Sequence, residues 1–276
     1  MFRLKNALLK PYQKADGVNV VVRQSPDWAN IAVAAFMEQS RQFCRTIGRP
    51  EDQVNELMAL WDSTFGISFF ATRQRMKEIA QANLRTIRNC SVHQIADFKT
   101  ADFDNREIFC FVDDDDWFSP EIFTSLEGAD DGKIEGFRWK HVVFGNKDGQ
   151  AVTLRAVSPT VYTNNYAVKA GYLKNKPANL KSVLQHFDAD AAFKKMKIVN
   201  IDSYLSVTNK HPASTIFLES NLGDQRTREK LIEVVGSYCE GVTKFELSTL
   251  PNEIRWAQSQ IEELQGFARD LMLSVK

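Results

Sequence analysis

Two periodicities of apolar and polar positions alternate along the chain. Residues 18–22 (VNVVV), directly after Gly17, are a short β-branched run of the kind expected for a buried first strand. Ser25-Pro26-Asp27 predicts a helix start, and apolar residues then recur at helical spacing through 28–47 until Gly48. A second helix start stands at Pro50-Glu51-Asp52, ahead of VNELMALW. Residues 66–72 (GISFFAT) predict a strand and 72–88 a basic amphipathic helix. Strand and helix signals in alternation favour α/β layering over an all-α or all-β fold.

The best-defined strand is 107–112 (EIFCFV), apolar from Ile108 onward and stopped by four aspartates. Such a run suits a central strand covered on both faces. Ser119-Pro120-Glu121 follows as a helix N-terminus, with proline at the first turn and an acid close behind. Residues 137–144 (FRWKHVVF) and 151–157 (AVTLRAV) flank the turn signal GNKDG at 145–149, which predicts an antiparallel hairpin and so a mixed sheet. From residue 226 the pattern is helical, with a last helix starting near 248–251. No internal repeat or Pro/Gly/Ser linker divides the chain. The expected organisation is an α/β domain over 1–225 with a helical extension, 226–276, packed on it.

Length and composition narrow the function classes. The chain has 276 residues, 43% hydrophobic and 25% charged, which is the profile of a globular protein with a sizeable core. Lys plus Arg and Asp plus Glu are both 35, which argues against a surface coated in positive charge for nucleic acid or anionic lipid. The balance hides an uneven distribution: residues 101–135 hold twelve acids against Arg106 and Lys133, a local net of −10. Directly downstream, residues 137–181 carry eight bases against Asp148 alone.

Cys44, Cys90, Cys110 and Cys239 form no C-x-x-C pair, and the four histidines show no zinc spacing, so buried thiols in a reducing, cytoplasmic location are expected. No segment approaches the ~18 uninterrupted apolar residues of a membrane span. The first fourteen residues, net +4, give a peripheral membrane contact as the alternative to a frayed terminus.

The strongest chemical signal is 108–120 (IFCFVDDDDWFSP). Four carboxylates at the carboxyl end of a buried strand repel one another and resist desolvation unless a cation or strong donors compensate. Carboxylate oxygens are the ligands that Mg2+ and Mn2+ prefer, and Mg2+ takes one or two of them and completes its shell with water and phosphate. Ligands of open α/β sheets also bind beyond the carboxyl ends of the strands. The alternative is a solvated acidic turn without a ligand.

An apolar strand, then D-x-D-D, two large residues, a spacer and Pro (Asp113-Asp114-Asp115-Asp116-Trp117-Phe118-Ser119-Pro120) resembles the D-x-D region of GT-A fold glycosyltransferases, above all the family 2-like and rhamnosyltransferase-like groups. The resemblance implies a GT-A-like (Rossmann-like) mixed sheet flanked by helices. It also implies a metal-dependent enzyme that moves a sugar from a nucleotide sugar to a hydroxyl of an acceptor. Under it, Asp113 lies near the ribose or base and joins Asp115 at the Mn2+ or Mg2+. Asp114 and Asp116 fall on the donor side, Asp116 supporting the metal or touching the donor sugar. His211, in NKHPAST, is the candidate third metal ligand by analogy with a late histidine in part of this fold class.

Other candidates come from residue chemistry. Asn164 and Asn165, in 158–172 (SPTVYTNNYAVKAGY), suit sugar hydroxyls, or form an N-N turn beside a packed tyrosine. Among the bases Arg138, Lys140, Arg155 and Lys169, Arg155 is taken as the candidate contact to the leaving diphosphate or an anionic acceptor. An inverting transfer needs a base for the acceptor hydroxyl; of Asp188, Asp190, Asp202, Glu219 and Asp224, Glu219 is preferred. The donor nucleotide (UDP, GDP or dTDP) and the stereochemistry stay open. A saccharide or lipid-linked glycan is the expected acceptor, with modified nucleic acid a lesser one. The competing functions are a non-catalytic, cation-stabilised binding module and a haloacid-dehalogenase-like phosphatase using Asp113 and Asp115. G-x-G-x-x-G and P-loop motifs are absent from the sequence, which disfavours dinucleotide and P-loop enzymes.

Overall fold

A computed structural model describes residues 18–23, 52–86, 91–94, 103–113, 116–145, 152–156, 164–176, 183 and 189–275. The helix expected over 28–47, the basic first fourteen residues, Cys44, Cys90, Asp114 and Asp115 lie outside these residues. The strands are β1 (Val18–Arg23), β2 (Ser91–Gln94), β3 (Ile108–Asp113), β4 (Trp117–Phe118), β5 (Gly136–Gly145), β6 (Thr153–Ala156), β7 (Tyr166–Lys169) and β8 (Ile198–Lys210). They form one sheet in the order β2-β1-β3-β7-β5-β8-β4, with β6 paired to β5. The main helices are α1 (Asp52–Phe65), α2 (Phe69–Thr86), α3 (Ile122–Ala129), α4 (Ala170–Asn175), α5 (Ala189–Phe193), α6 (Thr215–Leu222), α7 (Arg228–Lys244) and α8 (Gln258–Leu273). The expected mixed α/β sheet flanked by helices, with helices closing the chain, is therefore observed.

β1 is parallel to both β2 and β3, whereas β3 is antiparallel to β7. β3 is thus internal to the sheet, and its side chains alternate as an internal strand requires. Ile108 and Cys110 face one core with Phe137, Trp139 and Ala167 under α3, and Phe109 faces another with Tyr166, Val168 and Phe193. A third and larger core joins Trp117, Val142, Phe144 and Val207 to Leu57, Trp61 and Phe69 from α1 and α2, Leu231 and Val235 from α7, and Ile261 and Leu264 from α8. Burying each of these large side chains contributes about 1.5–3 kcal/mol relative to exposure. The terminal helices are therefore anchored through the same apolar core as the sheet.

The strand expected over 66–72 is instead the junction of two helices. Gly66, at φ 67°, ends α1 by donating its N–H to Asp62 O at 3.0 Å. Ser68 Oγ then accepts the Ala71 N–H at 3.0 Å and caps α2, while Asp62 Oδ1 accepts the Phe69 N–H at 2.6 Å. Phe69 packs edge-on to Trp61 with ring centroids 5.6 Å apart. The aromatic pair that resembles a strand is a buried helix start.

The expected hairpin forms, with Val142 opposite Ala156 and Gly145 opposite Thr153. β5 also runs parallel to β8, and their register shifts twice, between Trp139 and Lys140 and between Lys140 and His141. These bulges bring Ser206 opposite His141 and leave Val207, Thr208 and Asn209 in regular register with Val142, Val143 and Phe144. Cys110 and Cys239 are buried free thiols, and burial pushes the Cys239 thiol up to about 12, where it is neutral and inert.

Gly145 closes the β5–β8 pairing at φ 148°, where an added Cβ would sit 2.5 Å from Lys210 Cβ and 2.6 Å from Lys210 O. Gly145→Ala is expected to destabilise the protein by about 2–4 kcal/mol, because both backbone conformation and backbone contact oppose it. Gly128→Ala, in α3 with nothing within 4 Å of the new carbon, is expected to stabilise by about 0.5–1 kcal/mol. Urea unfolding of the two variants against wild type measures both.

Candidate functional site

A buried polar cluster lies beyond the carboxyl end of β3, where four chain segments meet. Asp113 is the last residue of β3 and pairs in register with Arg23 of β1. Two residues further on, Asp116 is 3% exposed and leads into β4, which pairs with β8 through Trp117–Val207 and Phe118–Ser206. Asn164 and Asn165 form the turn into β7, and since β7 runs antiparallel to β3 this turn stands at the same end of the sheet.

Hydrogen bonds join these segments. Asp116 Oδ2 accepts from Asn164 Nδ2 at 2.8 Å, and Asp116 Oδ1 accepts from the Asn209 main-chain N–H at 2.9 Å. Asn164 Nδ2 also donates to Thr208 Oγ1 at 2.7 Å. Trp139 Nε1 donates to Ser206 Oγ at 2.9 Å and to the Asn164 carbonyl at 3.1 Å. Asn165 Nδ2 donates to Trp139 O at 3.4 Å and lies 3.2 Å from His141 Nδ1. Asp116, Asn164, Asn165, His141, Ser206 and Asn209 are all buried, so each bond replaces one to water in a medium where a lost partner costs about 1–3 kcal/mol.

Burial is the main reason, and the Lys210 charge a lesser one, that His141 titrates down at about 4 instead of 6.5. The imidazole is therefore neutral at pH 7. With the Asn165 amide donating, Nδ1 is the acceptor and the ring proton belongs on Nε2. Among the described residues, Asn164 Oδ1 and both side-chain atoms of Asn209 are buried without a hydrogen-bond partner. They are an unused acceptor on Asn164 and an unused donor–acceptor pair on Asn209.

The sequence candidates divide by place. The structure brings Asp116, Asn164 and Asn165 together next to Asp113, and the N-N turn with a buried Tyr166 is also present. His211 is buried just past β8, two residues beyond Asn209. Glu219 lies on α6, and Arg155 is exposed on β6 opposite Val143. The side chains of Asp113 and Glu219 are outside the described part of the structure, as are Asp114 and Asp115 altogether. Lys169 stands opposite Ile108, at the other end of β3 from Asp113, in a buried ion pair with Asp130 at 2.5 Å. Lys140 is paired with Asp202 at 2.5 Å and Arg138 Nε donates to Asn200 Oδ1 at 2.9 Å.

Sequence reasoning missed His141, Ser206, Thr208 and Asn209. The signal for them was weak, because β8 (IVNIDSYLSVTNK) mixes polar and apolar residues without the clean alternation of a half-buried strand.

No family profile matches the chain, and no curated protein matches it. Among solved structures it is similar to TarS 1-349 from S. aureus, at 12% identity and a TM-score of 0.33, over 92% of this chain and 91% of that one. So low an identity and score say nothing about chemistry. Among the described residues no group of three or more His, Cys, Asp or Glu is placed to hold a metal, and no helix is long and apolar enough to cross a membrane.

The His141 geometry sets a pH dependence. A group whose folded-state value lies below its unfolded value stabilises fully above 6.5, and that contribution is lost as pH falls toward about 4. His141→Asn, which keeps an acceptor toward Asn165, is expected to flatten the decline of the urea midpoint between pH 6.5 and 4. The comparison with wild type across that range isolates His141, since the other titrating groups are common to both proteins.

Proposed function

We propose that the protein is a metal-dependent glycosyltransferase that moves a sugar from a nucleotide-sugar donor to a hydroxyl of a glycan or lipid-linked glycan acceptor. The observation that carries this reading is the ending of internal strand β3 at Asp113, the first of four consecutive aspartates, beside a buried cluster of amides and hydroxyls at the ligand-binding end of the sheet. Asp113 and Asp115 would supply the one or two carboxylates that Mg2+ or Mn2+ takes from protein, with His211 the candidate third ligand. When bound, such a cation neutralises the charge that develops on a departing nucleoside diphosphate.

The remaining roles belong to the chain's own residues. The unused Asn164 acceptor and Asn209 amide suit the paired donors and acceptors of sugar hydroxyls. Neutral His141 holds the Asn165 amide that shapes the same turn. Arg155 is the candidate contact for a diphosphate, and Glu219 the candidate base that removes the acceptor's hydroxyl proton.

The test is a panel of UDP-, GDP- and dTDP-sugars incubated with the protein and Mn2+. One donor is expected to release nucleoside diphosphate slowly in the absence of acceptor. Chelation should abolish the release, and Asp115→Ala should lower it by at least about 100-fold while leaving the protein folded. Wild-type turnover in Asp115→Ala, or neither hydrolysis nor a nucleotide-dependent thermal shift with any donor, overturns the assignment. Phosphate release from a phosphomonoester with Asp113 required would instead identify the phosphatase.

A further inference from the structure

Alternation along β8 sends neighbouring side chains to opposite faces of the sheet. Thr208 faces the polar cluster, where its Oγ1 accepts from Asn164 Nδ2 at 2.7 Å. Asn209 faces the other way, into the large apolar core. It stands in register with Phe144 of β5, two residues beyond Val207, which pairs with Val142 on one side and Trp117 on the other. Phe144, Val142, Val207 and Trp117 all belong to that core. A side-chain amide is therefore enclosed on an otherwise apolar face.

The enclosure is close. Adjacent strands lie about 4.8 Å apart, so β4 and β5, on either side of β8, are separated by about twice that. The ring centroids of Trp117 and Phe144 are nevertheless 5.6 Å apart, which requires both rings to lean over β8. Asn209 is 4% exposed and Trp117 is wholly buried. Among the described residues, Trp117 Nε1 and both side-chain atoms of Asn209 are buried without a hydrogen-bond partner. Folded proteins leave few polar groups in that condition.

We infer that Asn209 and Trp117 form a binding site for one internal water beneath the Trp117–Phe144 ring pair. The indole N–H can only donate, so a molecule facing it must accept there. Water accepts from Trp117 Nε1 and donates to Asn209 Oδ1, which gives it the two polar partners that an internal water needs at the least. The same bond fixes the amide: Oδ1 turns toward the core, and Nδ2 remains as the donor considered above for a sugar hydroxyl. The water site itself rests on burial and register and not on the glycosyltransferase reading. Its consequence reaches the polar cluster, because the Asn209 main-chain N–H donates to Asp116 Oδ1 at 2.9 Å. Asn209 is thereby held twice, through its main chain by Asp116 and through its side chain by the water.

The test is nuclear magnetic resonance on the 15N-labelled protein without nucleotide or metal. Trp117→Phe identifies the Trp117 indole resonance by its loss. Wild type is expected to show a cross-peak between that indole N–H and water, with the sign of dipolar contact and not of proton exchange. Asn209→Leu, which replaces the amide by an apolar side chain of similar shape, is expected to abolish the cross-peak while the indole resonance persists. A wild-type indole without the cross-peak, or a cross-peak of undiminished intensity in Asn209→Leu, overturns the inference. If Asn209→Leu does not fold, Asn209→Val is read in the same way, and if neither folds the wild-type spectrum decides. Because the measurement uses neither sugar nucleotide nor Mn2+, failure of the water site and failure of the transferase reading are separate results.

Discussion

A buried carboxylate must recover from protein donors what it loses from water, and the candidate site is organised around that requirement at Asp116. Two of its partners, the Asn209 N–H and the Asn164 amide, come from segments far apart in sequence, 93 and 48 residues away. Satisfying one side chain therefore ties the start of β4, the turn before β7 and the end of β8 into a single arrangement. Trp139, Thr208, Asn165 and His141 extend that arrangement inward, so the polar layer rests directly on the apolar core beneath α3.

The sheet supplies the platform for this layer. Parallel pairing of β1 with β3 and antiparallel pairing of β3 with β7 place a strand end and a strand start side by side, which brings Asp113 and Asn164 to the same end of the sheet. The double register shift between β5 and β8 sets Ser206 beside His141 while returning Val207 to the large core. Without it, the alternation of side chains along β8 would set the hydroxyl and the valine against the wrong layers. Aromatic packing, including Trp117 against Phe144 at 5.6 Å, joins the residue next to Asp116 to that core.

The elements that were legible in the sequence were those whose local signals agree with their tertiary setting. The apolar run of β3 ends where the aspartates begin, and the 145–149 turn signal joins strands that do pair. The strand expected at 66–72 failed because two phenylalanines satisfy strand propensity and a capped helix start equally well, and Ser68 and Gly66 decide for the helix. β8 escaped notice because Ser206, Thr208 and Asn209 on it serve the site and not the core, and such hydroxyl and amide residues blur the period. Lys169 drew attention as a positive charge near an acidic run, yet strand direction carries it to the opposite end of the sheet, against Asp130.

By itself the sequence determined an α/β chain with an internal strand ending in four carboxylates, because apolar runs, caps and charge crowding are local properties that a linear reading contains. It also determined that the carboxylates require compensation, since charge repulsion and desolvation follow from their adjacency. Only the tertiary structure decided how Asp116 is compensated by the protein itself. Asn164 and Asn209 reach Asp116 through strand order and register, and those depend on contacts between residues that sequence separation hides.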